Sequence, residues 1–164
     1  MKRMMIALMA LLLLLPALAL ADGPVLLVEL PEDAQMVEDV SFDDGDYIQT
    51  YQFSGVQVQL IRYGAFSMTI EELAASDWAG AKSVTPMELT EVSGYPASGV
   101  QIMHEEAAAE PVEVTLVLVS ADGYTLVYSV IIPESAGDGV REQTDAMLDA
   151  LQVFDPEGGS EEVG

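Results

Sequence analysis

The sequence predicts an α+β fold in which an antiparallel β-sheet of about six to seven strands is flanked by helices. Strand patterns come first, then a helical pattern, then further strands and a closing helix, with short turns between neighbouring strands. One segment, YTLVYSVII at 124–132, is apolar on both of its faces. Such a strand is typical of the centre of a sheet that is covered above and below.

In the first half of the chain, VLLVEL at 25–30 and MVEDVSF at 36–42 are predicted strands, and DDGD at 43–46 is a turn. The next segments are YIQTYQF at 47–53, the pair Ser54-Gly55, and VQVQLIRY at 56–63. In the last of these segments Val alternates with Gln, so one face of the predicted strand is apolar and the other is polar. We therefore expect a hairpin with a tight two-residue turn.

A helix from Ile70 to Trp78 is predicted because the hydrophobic period changes there. Thr69 and Glu72 have the spacing of a capping box, and Gly80 ends the pattern. We expect Trp78 to be the buried anchor of this helix.

Three strands are predicted next, at 97–105, 112–120 and 124–132, and Ala121-Asp122-Gly123 is the hairpin signal between the last two. A final helix is expected from Asp138 to about Gln152, extended by Val153 and Phe154. The buried stripe of that helix is expected to contain Val140, Thr144, Met147, Leu148 and Leu151.

Residues 1–21 form a predicted secretory signal peptide of bacterial type. A charged MKR start, an apolar run to Leu20 and the small-x-small exit Ala19-Leu20-Ala21 are its three parts. The alternative is a retained membrane anchor, since the run approaches the roughly 17 residues that a spanning helix needs. Pro16 and the exit favour cleavage, so we expect a secreted or cell-envelope protein.

Residues 22–155 are predicted to form one α+β domain that is large enough for its own core. Residues 156–164 are acidic and Gly-rich, which predicts a disordered tail. No apolar run after the leader is long enough to span a membrane, so no membrane contact is expected once the leader is cleaved.

The chain is strongly acidic, with a formal net charge of −23. All 28 acidic residues lie after residue 21, where only Arg62, Lys82 and Arg141 balance them. This charge repels phosphate backbones, so nucleic acid is excluded as a partner. Cationic ligands, basic proteins and divalent cations remain open, beside the alternative that the charge only keeps an exported protein soluble. Without cysteine, the chain has no disulfide, thiolate metal site or thiol nucleophile.

Three carboxylates in one turn, Asp43, Asp44 and Asp46, are weak metal candidates. Their spacing lacks the alternating ligands and the distant bidentate Glu of an EF-hand. A solvated turn is the favoured interpretation, and a calcium-dependent surface module is a lesser hypothesis. No cofactor is expected.

His104 is the single histidine, and it lies at the end of a predicted strand. A catalytic histidine needs a nucleophile or metal partner and a group that fixes its tautomer. Ser93 and Ser98 are near in sequence, but neither lies in a G-x-S-x-G motif. We interpret His104 as a strand-end residue and predict no catalytic residue.

Two further patterns leave alternatives open. Neighbouring carboxylates are abundant, but glycosidase chemistry needs two that face each other across a cleft, which a sequence does not show. The scattered tyrosines are compatible with a tyrosine-lined groove for a peptide or small ligand, or with packing that leaves each hydroxyl at the surface.

Three segments resemble the PsbP/Mog1-like superfamily: the turn and strand SGYPASGVQI, the hairpin ADGYTLVYSVII, and the closing helix TDAMLDALQVF. The helix ends in Leu148, Leu151 and Phe154, at the spacing seen in that group. The resemblance covers about residues 24–155 and implies an α/β/α sandwich. It also implies an accessory or binding role rather than an enzyme, with no catalytic motif to transfer.

We therefore expect an exported, non-enzymatic accessory or binding domain for an unknown protein or small ligand outside the cytoplasm. The alternative is an extracytoplasmic hydrolase that uses carboxylates or the His104 region. The ligand and the oligomeric state are left open by the sequence.

Overall fold

The computed structural model describes residues 23–64, 68–105 and 109–156. The predicted leader at 1–21 and nearly all of the predicted tail lie outside these ranges. Neither helix of the described part is long and apolar enough to cross a membrane.

The described residues form ten strands and two helices. The strands are β1 (Val25–Leu27), β2 (Gln35–Ser41), β3 (Tyr47–Phe53), β4 (Val56–Gly64), β5 (Ser83–Pro86), β6 (Glu91–Val92), β7 (Tyr95–His104), β8 (Val112–Ala121), β9 (Tyr124–Pro133) and β10 (Gln152–Phe154). The helices are α1 (Ile70–Asp77) and α2 (Asp138–Asp149).

Eight of the strands form one antiparallel sheet. Its main path runs β2-β3-β4-β9-β8-β7-β5, and β6 pairs with β7 beside that path. β1 and β10 form a separate antiparallel pair. The fold is therefore mainly β, with more strands than the six or seven expected. The described part is not a clear α/β/α sandwich, because its two helices are short, at 8 and 12 residues.

β9 lies in the middle of the main path, as its two-sided apolar pattern predicts. The strand register shows which side chains share each face of the sheet. Leu60, Tyr128 and Val117 are aligned across β4, β9 and β8, so their side chains share one face. Val127, the neighbour of Tyr128, points to the opposite face.

The two helices cover opposite faces of this sheet. Met147 of α2 and the following Leu151 belong to the core cluster that contains Tyr128. Ile70, Leu73 and Ala74 of α1 belong to the cluster that contains Val127. Each apolar face of β9 is thus closed by a different part of the chain.

The predicted turns are confirmed by backbone angles. Ser54 and Gly55 have φ of 47° and 81°, and Asp122 and Gly123 have φ of 42° and 84°. Two consecutive positive φ values are typical of the tight turn whose twist matches antiparallel strands.

The capping box of α1 is confirmed, but its anchor is not the predicted one. Thr69 Oγ1 accepts from the Glu72 amide at 3.2 Å, and Glu72 Oε2 accepts from the Thr69 amide at 2.9 Å. Trp78 forms the C-cap and is only partly buried. The buried contacts of α1 come from Ile70, Leu73 and Ala74.

The expected extension of the last helix is wrong. α2 ends at Asp149, and Gln152–Phe154 is a strand in which Val25 aligns with Phe154. Pairing with β1 satisfies backbone groups that a helix end would leave without partners. Phe154 is 40% exposed, so it does not anchor the core, whereas Leu151 is buried.

Leu126 tests the importance of the two-sided strand, since it is 0% exposed on β9. We expect Leu126→Ala to lower the free energy of unfolding by about 2–5 kcal/mol, through lost burial and the cavity that remains. Val84→Ala, on exposed β5, is the control, and its cost is expected within about 0.5 kcal/mol. Urea unfolding followed by circular dichroism measures both, and similar costs would contradict this account of the core.

Candidate functional site

A groove of about 520 Å³ lies between the end of β4, the second half of α1 and the β2–β3 turn. Met68 and Leu73 supply apolar surface, whereas Ser76 and the two carboxylates are polar. Its lining residues are Asp46, Tyr63, Gly64, Met68, Leu73, Ser76 and Asp77.

The two groove carboxylates come from distant parts of the sequence and line the same groove as Tyr63. Asp77 is the last residue of α1, and Asp46 lies in the turn before β3. Burial, followed by the negative charges of Asp77 and Asp46, raises the pKa of Tyr63.

The structure separates the three metal candidates of the acidic turn. Asp43 and Asp44 are exposed, whereas Asp46 is partly buried and lines the groove. The Asp46 amide donates to Asp44 Oδ1 at 3.3 Å. Oδ1 of Asp46 is itself buried and accepts no hydrogen bond from the described residues.

Within residues 23–64, 68–105 and 109–156, no group of three His, Cys, Asp or Glu side chains is arranged to hold a metal ion. The calcium hypothesis for Asp43, Asp44 and Asp46 therefore gains no support from geometry, and calorimetry with calcium remains its test.

Arg62 fixes this turn against the sheet. It lies two residues after Leu60, on the same apolar face of β4, and is only 3% exposed. Its Nε donates to the Gly45 carbonyl at 2.9 Å, its Nη2 donates to the same oxygen, and its Nη1 donates to the Pro24 carbonyl at 3.3 Å. One guanidinium thus holds the residue before β1 and the β2–β3 turn together.

Two tyrosines enclose the guanidinium. The Arg62 Cζ atom lies 5.2 Å from the ring centre of Tyr47 and 5.0 Å from that of Tyr124. Aromatic faces and carbonyl oxygens carry negative potential, which offsets part of the cost of burying the charge. Burial raises the pKa of Tyr47 to about 12, although the Arg62 charge acts in the opposite direction.

Gly45 permits this contact. Its φ is +85°, and a Cβ atom there would lie 3.1 Å from Nη2 of Arg62. A side chain would therefore be strained by the backbone and would also press on the guanidinium.

β7 ends at His104, as the sequence predicts. The imidazole makes an edge contact with the Trp78 ring, with ring centres 5.5 Å apart. Among the described side chains none hydrogen-bonds to it. Its neighbour Glu105 pairs instead with Lys82 at 2.7 Å, in an exposed ion pair.

The two serines near His104 in sequence are not brought to it. Ser93 Oγ accepts from the Val153 amide at 2.9 Å, at the opposite end of β7. Ser98 lies six residues before His104 on the same strand, which corresponds to about 20 Å. The serine–histidine version of the hydrolase hypothesis therefore lacks its geometry.

The described tyrosines do not line one common groove. Tyr63 lines the groove, Tyr47 and Tyr124 flank Arg62, and Tyr128 is fully buried. The Tyr95 hydroxyl lies 3.1 Å from carboxylate oxygens of Asp122 and of Asp155, and so links the β8–β9 turn to the residue after β10.

Sequence reasoning missed Asp77, Tyr63 and Arg62 as members of this region. One signal was present for Arg62, because an arginine follows Val56, Val58 and Leu60 on an otherwise apolar strand face. No local signal marked Asp77, since a carboxylate near the end of an exposed helix is ordinary.

No protein-family model matches the chain, and no curated protein matches it. Among solved structures, the crystal structure of LpqN of Mycobacterium tuberculosis, a protein described as involved in cell envelope biogenesis, resembles it. The identity is 10% and the TM-score 0.44, over 81% of this chain and 86% of that chain. A likeness this weak carries no argument about function, and the PsbP/Mog1-like resemblance stays a hypothesis.

Arg62→Lys tests the anchoring of the turn. We expect a loss of about 2 kcal/mol in the free energy of unfolding. A lysine ammonium cannot reproduce the planar guanidinium, which donates to the Gly45 and Pro24 carbonyls and lies between the Tyr47 and Tyr124 rings. Arg141→Lys is the matched control, since Arg141 makes a half-exposed ion pair with Glu113 at 2.6 Å. We expect that control to cost less than about 1 kcal/mol. Equal costs in urea unfolding would refute the special role of Arg62.

Proposed function

We propose that this chain is an exported, non-enzymatic binding domain whose groove takes a ligand with a positive charge and an apolar body. The observation that carries the proposal is that Asp46 and Asp77 line the same groove as Met68 and Leu73. A cation suits the acids, and an apolar group suits the methionine and leucine. The charged start, apolar run and small-residue exit of residues 1–21 support a place of action outside the cytoplasm.

The size of the groove supports a small ligand. A volume of about 520 Å³ lies within the roughly 300–1,000 Å³ that is usual for ligand pockets. Such pockets combine mostly apolar walls with a few polar groups that fix the orientation of the ligand. The groove has this mixture of side chains.

Electrostatics favours the groove over the exposed part of the acidic turn. Opposite unit charges 4 Å apart attract by about 1 kcal/mol in water and by about 4 kcal/mol at the dielectric typical of a protein surface. Asp46 is partly buried, whereas Asp43 is exposed to water. A cation next to Asp46 is therefore attracted more strongly than one next to Asp43.

The finer fold assignment belongs to the same proposal. One helix on each face of an antiparallel sheet is compatible with an α/β/α arrangement of the PsbP/Mog1-like kind. The accessory roles of that superfamily agree with binding rather than catalysis.

Hexylamine is a suitable probe, with hexanol and hexanoate as uncharged and anionic controls of the same length. We expect hexylamine to shift amide signals around the groove in NMR spectra, and both controls to bind more weakly. Asp46→Asn should weaken hexylamine binding about tenfold, because it removes a partly buried charged partner. Asp77→Asn should weaken binding less, because Asp77 is exposed and its attraction for a cation is screened by water. Asp43→Asn changes the charge equally in the same turn, outside the groove, and should leave binding unchanged.

Equal weakening by Asp43→Asn and Asp46→Asn would show that only the overall charge of the protein matters. Equal binding of hexanol and hexylamine would remove the role of the carboxylates. Either result would contradict the proposal.

A second candidate function is hydrolysis by paired carboxylates, since Asp46 and Asp77 line one groove. Glycosidases use two carboxyl groups that flank the bond to be cleaved. Under this alternative, the chain should release nitrophenol from a panel of nitrophenyl glycosides, and both Asp46→Asn and Asp77→Asn should abolish the release. Turnover by all variants would indicate a contaminating enzyme, and an inactive wild-type chain would rule the alternative out for that panel.

A further inference from the structure

β2 is a long edge strand without cover. One side pairs with β3, and the structure assigns no second partner strand to it among residues 23–64, 68–105 and 109–156. All seven residues, Gln35–Ser41, are exposed. The outer backbone amides and carbonyls of an edge strand are available for pairing with another extended segment.

Exposed apolar side chains concentrate on this strand. Met36, Val37 and Val40 are 48%, 52% and 37% exposed, and Phe42, directly after the strand, is 49% exposed. Only Val84 and Phe154 are comparable large apolar residues elsewhere in the described part. Three of the seven residues of β2, and the residue directly after it, are therefore exposed apolar side chains that a partner segment could cover.

The other edge of the sheet is protected, which makes the contrast informative. β5 has only four residues and ends in Pro86, which has no amide to donate. Lys82, directly before it, forms an ion pair with Glu105. β2 has no proline, and its bulge between Met36 and Glu38 leaves Val37 exposed.

The β2 edge is negatively charged, which favours a positively charged partner. Glu38 and Asp39 lie on β2, and Asp43 and Asp44 follow in the exposed turn. No lysine or arginine occurs between residue 4 and Arg62, and Arg62 is buried. A second copy of this chain would bring the same negative charges to the contact. The residues after Pro156 are also unsuitable, because they contain glutamates and no basic residue.

An open polar depression of about 370 Å³ lies at the start of the strand. It is lined by Asp33, Gln35, Gln52, Phe53, Ser54 and Gly55. Asp33 and two glutamine side chains can accept hydrogen bonds from a basic side chain. A segment added along β2 therefore meets acceptor groups at the strand end as well as charge along its length.

We propose that β2 is a docking edge for an extended segment of another protein in which basic and apolar residues alternate. The segment adds a strand to the sheet, so that main-chain hydrogen bonds supply affinity and the acidic and apolar side chains of β2 select the sequence. This surface shares no residue with the groove, so the proposal does not depend on the ligand of the groove.

The probe is the fluorescently labelled peptide KVKVKVK with blocked ends, titrated with the full chain and followed by anisotropy. Two control peptides are EVEVEVE and a form of KVKVKVK that is N-methylated at alternate residues. We expect the basic peptide to bind, and the acidic peptide to fail because of charge. The N-methylated peptide should fail because it cannot donate to the strand edge.

Val40→Lys tests the site, and Val84→Lys is its matched control on the opposite edge strand. Both replace an exposed valine on an edge and add the same charge to the protein. We expect Val40→Lys to weaken binding of the basic peptide about tenfold, through lost apolar contact and new repulsion. Val84→Lys should change binding less than about twofold.

Four results would overturn the proposal. Equal weakening by the two variants would place the peptide elsewhere, and undiminished binding of the N-methylated peptide would show charge attraction without strand addition. Dimerisation of the chain in ultracentrifugation that Val40→Lys abolishes and Val84→Lys does not would make a second copy the occupant. Failure of KVKVKVK to bind at millimolar protein would likewise remove the docking edge, without affecting the hexylamine result at the groove.

Discussion

The central strand β9 carries apolar side chains on both faces, so both faces have to be buried, and much of the architecture follows from that constraint. Tyr128 and Val127 are neighbours on β9 that point to opposite sides, yet both are almost fully buried. A single layer of cover would leave one of these faces in water. The chain therefore places α1 on one side and α2, with the β1–β10 pair, on the other.

Arg62 links this core to the candidate site. A buried guanidinium is costly unless its donors are satisfied, and here backbone carbonyls of Gly45 and Pro24 satisfy them. The same hydrogen bonds hold the turn that carries Asp46 beside the end of β4. The groove thus depends on two features. Arg62, on the apolar face of the sheet, holds the turn that carries Asp46 by bonding to the Gly45 carbonyl, and α1 ends with Asp77 on the other side of the groove.

The acidic surface gives the two proposed contact regions a common chemistry. Both the groove and the β2 edge combine carboxylates with apolar side chains, and both favour cationic partners that also carry apolar groups. They differ in the form of the partner: the groove is an open depression with the volume of a small molecule, whereas β2 offers a line of backbone groups suited to an extended chain. The net charge of −23 favours approach of either partner and disfavours self-association.

The sequence by itself determined the local elements, because turn chemistry, capping and side-chain alternation act between residues a few positions apart. Ser54-Gly55, the Thr69–Glu72 capping box and the central place of β9 follow from such signals. Only the tertiary structure decided that Gln152–Phe154 leaves the helical pattern, since its partner β1 lies at the other end of the chain. The same reason applies to the groove: Asp46 and Asp77 are 31 positions apart in the sequence, and no local pattern reports that folding brings them to one surface.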